Sequence, residues 1–112
     1  GVFDWDMSGP TTPLFELAFI AWNCVPLWRD IGPHLAARRL ALIAAGYGGF
    51  HPRQILLAVP PRIQVLLDGI PAGAAAGDPG MVNLLAAGEP ERSGASLAEL
   101  AGRIPAIERF LD

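Results

Sequence analysis

Apolar positions recur at helical spacing through most of the chain, and prolines mark where each run begins. Thr12-Pro13 reads as an N-cap followed by proline at the first helical position. The run behind it, to about residue 24, is apolar nearly all round, with Leu14, Phe15, Leu17, Phe19, Ile20 and Trp22. Such a helix is expected at the centre of a fold. Glu16 is its one charge and is expected to find an arginine or backbone N–H groups as a partner. Pro26 ends the run, and 27–32 form a connector. A second helix is predicted from Pro33 to about Tyr47, with Leu35, Leu42 and Ile43 on its apolar face and Arg38 and Arg39 partly outside it. Gly48-Gly49 supplies its stop.

His51-Pro52 opens a third helix carrying Ile55, Leu56, Val59, Ile63, Leu66, Leu67 and Ile70. Pro60-Pro61 lies inside it, so a kink or break is expected there, because each proline removes a backbone donor. Asp78-Pro79 caps a short fourth helix to about Ala87, and 88–94 read as a polar loop. Ser96 followed by Glu99 is a capping box, which starts the last helix and carries it to about Leu111, with a bend at Pro105. Ahead of all this, Val2-Phe3 reads as the tail of a strand, and Ser8-Gly9-Pro10 as a turn. The expected fold is mainly α: one helical domain over residues 1–112, a bundle preceded by a strand remnant.

Composition narrows the chemistry. Of 112 residues, 52% are hydrophobic and 17% charged, which places the chain among packed globular domains. The net charge is −3, and all eight basic residues are arginine. With no lysine there is no Schiff-base chemistry and no phosphate-gripping P-loop lysine. A mild acidic excess argues against nucleic acid as a partner. The single cysteine, Cys24, excludes an internal disulfide and a CxxC metal site and fits a reducing, cytoplasmic setting. It is expected to be buried as a small hydrophobe. The longest apolar stretch, 17–25, is broken by Asn23 and is too short to span a bilayer, so no membrane partner is expected.

The stretch GVFDWDMSGPTTPLFELAFIAWNCVPL resembles the aminoglycoside phosphotransferase family, kinase-like enzymes related to choline kinases. RRLALIAAGYGG and AAAGDPGMVNLLAAGEP resemble later helices of that family's C-terminal lobe. The resemblance implies the helical lobe of a protein-kinase-like fold. It implies that Asp4, in the D-W motif, coordinates Mg²⁺, with Asp6 supporting the site or facing a cationic substrate. The chemistry is that of phosphoryl transfer, in which a carboxylate holds a hard cation against phosphate oxygens. It further implies ATP and a small-molecule hydroxyl as substrates of the complete enzyme. The family's H-G-D-type catalytic loop and its nucleotide lobe with the phosphate-pairing lysine are not found here, and Glu16 replaces the aspartate of the family's D-L-A. The chain is therefore expected to be the substrate-binding part of such an enzyme, without phosphotransferase activity by itself.

Glu89 and Glu91, together with Glu99 and Glu108, are candidates to recognise a polycationic substrate; an ordinary acidic surface is the equal alternative. Trp5, Trp22 and Trp28 could line a substrate cleft, although Trp22 fits the core better. Arg38 and Arg39 are expected on a solvated face, one of them pairing Glu16 or Asp30. His34 and His51, beside prolines at helix starts, are expected to be structural or surface residues rather than catalytic ones. The other functional class open to the sequence is a stand-alone helical module that self-associates, hiding apolar surface and the edge of the opening strand in a homo-oligomer.

Overall fold

A computed structural model describes residues 12–111. Among these the chain forms five helices and no strand: α1 (Pro13–Cys24), α2 (Pro33–Tyr47), α3 (Pro52–Ala75), α4 (Pro79–Ala86) and α5 (Glu91–Glu108). The strand expected at Val2-Phe3 lies outside the described residues. α3 is the hub and packs against each of the other four helices, most extensively α1. α4 packs on α3 alone, and α1 and α5 do not pack directly on one another. The result is a slab, 45 × 29 × 16 Å.

The helix starts follow from short-range chemistry. Thr12 Oγ1 accepts from the Phe15 amide at 3.1 Å, and Pro13 occupies the first helical position. At α3, His51 Nδ1 accepts from the Arg53 amide (3.0 Å) while Gln54 Oε1 accepts from the His51 amide (2.8 Å), a reciprocal cap. His51 is thus a structural histidine. Asp78 Oδ1 accepts from the amides of Gly80 and Met81 to start α4. Gly48 stops α2 at φ 83°, a left-handed conformation that costs glycine nothing.

Of the kink or break expected in α3 the break is excluded, and both expected ends of α5 are corrected. α3 does not break at Pro60-Pro61; it is one helix of 24 residues that also runs through Pro71. An internal proline costs a helix about 3 kcal/mol. Against that, Ile55, Leu56, Val59 and Ile63 are completely buried and Leu67 and Ile70 nearly so. Each such side chain contributes about 1.5–3 kcal/mol when buried, so the stripe on both sides of the prolines outweighs their cost. α5 starts at Glu91, not at Ser96, because Glu89 caps it. The Glu89 carboxylate accepts from the Ser93 amide and from the Ser93 hydroxyl, both at 2.9 Å. Ser96 Oγ instead donates back to the Arg92 carbonyl. α5 also continues through Pro105 and ends at Glu108, three residues short of Leu111.

The core is wholly apolar, and no polar or charged residue among those described is buried. Trp22 belongs to it, as expected. The face of α2 is only partly the predicted one: Ile43 packs against the core, but Ala36, Ala37, Leu40 and Ala44 are its buried residues, while Leu42 is 69% exposed and Leu35 39%. Alanines at i and i+8 around Leu40 let α2 sit close on α3 and α5, which larger leucines would prevent. Cys24 is exposed rather than buried. Glu16 is also exposed, so solvent satisfies it, and no arginine among the described residues pairs with it. An ion pair does link Arg53 Nε to Glu108 Oε2 at 3.4 Å, tying the start of α3 to the end of α5.

α3 carries more apolar surface than its core contacts use. Among the described residues it is the one helix long and apolar enough to cross a membrane, yet only 39% of its most apolar window is buried. Its seam with α4 depends on Gly73: a Cβ there would lie 2.5 Å from Met81 Cγ. A Cβ on Gly69, one turn earlier, would meet nothing within 4 Å. Substitution of the two glycines is therefore expected to give opposite results in thermal unfolding. Gly69→Ala should stabilise by about 0.5–1 kcal/mol through helix propensity. Gly73→Ala should destabilise by roughly 1 kcal/mol, because displacement of Met81 overrides the same gain.

Candidate functional site

The connector between α1 and α2 is held from both sides by arginines. Arg39, on α2, donates through Nη1 to the Val25 carbonyl, and Arg103, on α5, donates through Nη2 to the Leu27 carbonyl at 3.0 Å. Val25 and Leu27 are completely buried, so the connector is anchored by two apolar side chains and two charged donors. Arg39 therefore serves the backbone, not Glu16 or Asp30 as expected. Arg103 lies at a hollow of about 250 Å³ shared with Asp30 and Glu99. Its Nε and Nη1 are buried without a hydrogen-bond partner.

This clamp fixes Trp28 at the mouth of a groove of about 310 Å³ between the end of α1 and the start of α5. The groove exists because those two helices do not meet. Trp22 forms its floor and Trp28, 45% exposed, one wall. Asn23 lines it from the last turn of α1, with its amide nitrogen donating to the Phe19 carbonyl at 3.0 Å. The opposite wall is Glu89, Arg92, Ser93 and Ser96. Arg92 donates to the Ala87 carbonyl at 3.3 Å, which turns it toward the end of α4. The Arg29 guanidinium lies 5.7 Å from the centre of the Trp28 ring, so that indole face already attracts a cation.

Chemically this is a polar groove with aromatic surface, one carboxylate and one guanidinium. It suits an amine-bearing small molecule, with the indole of Trp28 facing the cation and Glu89 as counter-charge. Glu89 has two tasks, because the same carboxylate holds the first turn of α5.

The residues singled out from sequence fare differently. Glu89 lies in the groove, whereas Glu91 is exposed on the first turn of α5 and does not line it. Glu99 lies at the Arg103 hollow, and Glu108 pairs with Arg53. His34 meets Phe110 edge-on, with ring centres 5.2 Å apart. Asp4 and Asp6, the proposed Mg²⁺ ligands, lie outside the described residues, as does Trp5. Among the described residues no three His, Cys, Asp or Glu side chains gather into a metal-binding group. Asn23, Arg92 and Ser93 were not anticipated. Glu89 and Ser93 are four residues apart, and that spacing is the one sequence signal that could have placed the start of α5 and, with it, this wall. Comparison with protein families, curated proteins and solved structures finds no match to this chain.

Removal of the cap separates the two acids experimentally. Glu89→Ala is expected to lower stability by about 1–2 kcal/mol, from the lost cap and the lost charge at a helix N-terminus. Glu91→Ala should cost no more than a few tenths of a kcal/mol. Arg103→Leu should cost about 1–3 kcal/mol by leaving the Leu27 carbonyl without its donor. Urea unfolding followed by circular dichroism measures all three.

Proposed function

We propose that this chain is the helical, substrate-binding part of a kinase-like small-molecule phosphotransferase of the aminoglycoside phosphotransferase type, without phosphotransferase activity by itself. In the complete enzyme ATP would be the phosphoryl donor and a hydroxyl of a cationic small molecule the acceptor. The opening segment with Asp4 and Asp6 would contribute to holding Mg²⁺. Three features support this reading: the resemblance of the opening segment, the mainly helical architecture, and the groove. The observation that carries it is a groove of small-molecule size that Glu89 and Trp28 both line. An aminosugar offers several ammonium groups, and a carboxylate and an indole facing one groove complement one of them.

The lack of lysine supports the second half of the proposal, since phosphates are gripped by a lysine in such enzymes. Calorimetric titration with an aminoglycoside tests the binding half. Saturable binding is expected, weakened roughly tenfold by Glu89→Gln and unchanged by Glu91→Gln. Absence of binding, or equal binding by both variants, would remove the groove as substrate site. Incubation with MgATP and the same acceptor is expected to give no phosphorylated product, and turnover by the purified chain would contradict that half.

A further inference from the structure

α3 has a second stripe, open at Val65, Leu66 and Gly69 and covered by Met81 of α4 at Gly73. Val65, Leu66, Gly69 and Gly73 follow Arg62 at offsets of 3, 4, 7 and 11, which places all five on one side of the helix. Val65 is 50% exposed and Leu66 40%. Phe19 and Ile20 of α1 wall one end of this stripe, in a hollow of about 370 Å³, and Met81 of α4 walls the other, in a hollow of about 240 Å³. Arg62 lines both hollows and stands where they adjoin, so the two make a furrow with a guanidinium between them. From residue 62 to 73 it runs about 16 Å, or three helical turns.

We propose that this furrow docks an amphipathic helix from another polypeptide, apolar along one face and basic at both ends. The two hollows lie along one side of α3, so side chains one to two turns apart on the apolar face of an incoming helix can enter them. The bare backbone at Gly69 lets a helix come close at the midpoint, since nothing lies within 4 Å of the space above it. Charge selects the occupant. Glu16 stands at the α1 end and Asp78 at the α4 end, and between them Arg62 lies over the Phe19 ring at 5.0 Å. Basic residues at the ends of the incoming helix meet those acids.

The same charges count against the other occupants. An anionic lipid surface would face carboxylates at both ends of the furrow. A second copy laid antiparallel would set acid ends against acid ends. Area agrees. Four large side chains, about two-fifths exposed, at about 150–250 Å² each offer on the order of 300 Å². A stable dimer needs roughly 800 Å² a side.

The test is fluorescence anisotropy with the 112-residue chain and a labelled 16-residue peptide, an alanine-based helix with leucines at i, i+4 and i+7 and two lysines at each end. Saturable one-to-one binding is expected at tens of micromolar, on the order of what such an area supports. The same peptide with glutamates for lysines should bind at least ~10-fold more weakly. Leu66→Glu and Gly69→Leu in the chain should each weaken binding at least ~5-fold, the second by filling the furrow at a position with open space above it. Unchanged helical circular dichroism would show that both variants are folded. No binding, equal binding of the two peptides, or full binding by Gly69→Leu would overturn the proposal. So would sedimentation showing a dimer that Leu66→Glu dissolves, or co-flotation with phosphatidylglycerol vesicles that Leu66→Glu abolishes.

Discussion

A proline inside a helix can be retained only where the faces on either side of it have somewhere to go. α3 meets that condition on its inner side, where six large aliphatic residues from Ile55 to Ile70 stay in one register across Pro60 and Pro61. The other four helices are arranged around that stripe, so the bundle exists because the stripe is continuous. Were α3 to break at Pro60, Ile63, Leu67 and Ile70 would leave the register set by Ile55 and Leu56. α4 would leave with them, since it has no other support. Long-range burial here decides a question that local propensity answers the other way.

The groove rests on a second, smaller device. A connector with two buried side chains also brings in backbone carbonyls, and those need donors. In a chain without lysine the donors are Arg39 and Arg103, whose planar guanidinium groups can reach a carbonyl from a flanking helix. Trp28 owes its position to that arrangement. On the facing side Glu89 fixes the first turn of α5 and lends the groove its negative charge. Stability and recognition are coupled in that residue, so a substitution there has to be read by binding and unfolding together.

What the sequence made legible was short-range chemistry. Thr12 with Pro13, Gly48, His51 with Pro52, and Asp78 each act within one turn of the chain, and the ends they mark lie where the pattern put them. Three features were missed, two of them because they depend on neighbours far along the chain. The buried face of α2 follows Ala36 and Ala44, whose small size matters only once α3 and α5 press against them. The start of α5 follows Glu89, an acid that reads as surface until Ser93 is seen to fill both its oxygens. The groove brings Asn23 together with Arg92 and Ser93, about 70 residues apart in sequence, and no spacing announces that. Of the candidate site, then, Glu89, Trp22 and Trp28 were visible, and Asn23, Arg92 and Ser93 were not.

The seam between Met81 and Gly73 gives this protein a point of chemical fragility. α4 has no fully buried residue and packs on α3 alone, and Met81 lies over Gly73 at that seam. Conversion of its sulfur to the sulfoxide adds an oxygen and a strong dipole where the facing helix has no side chain to yield. Oxidation there would loosen α4 on α3, the one helix it packs against.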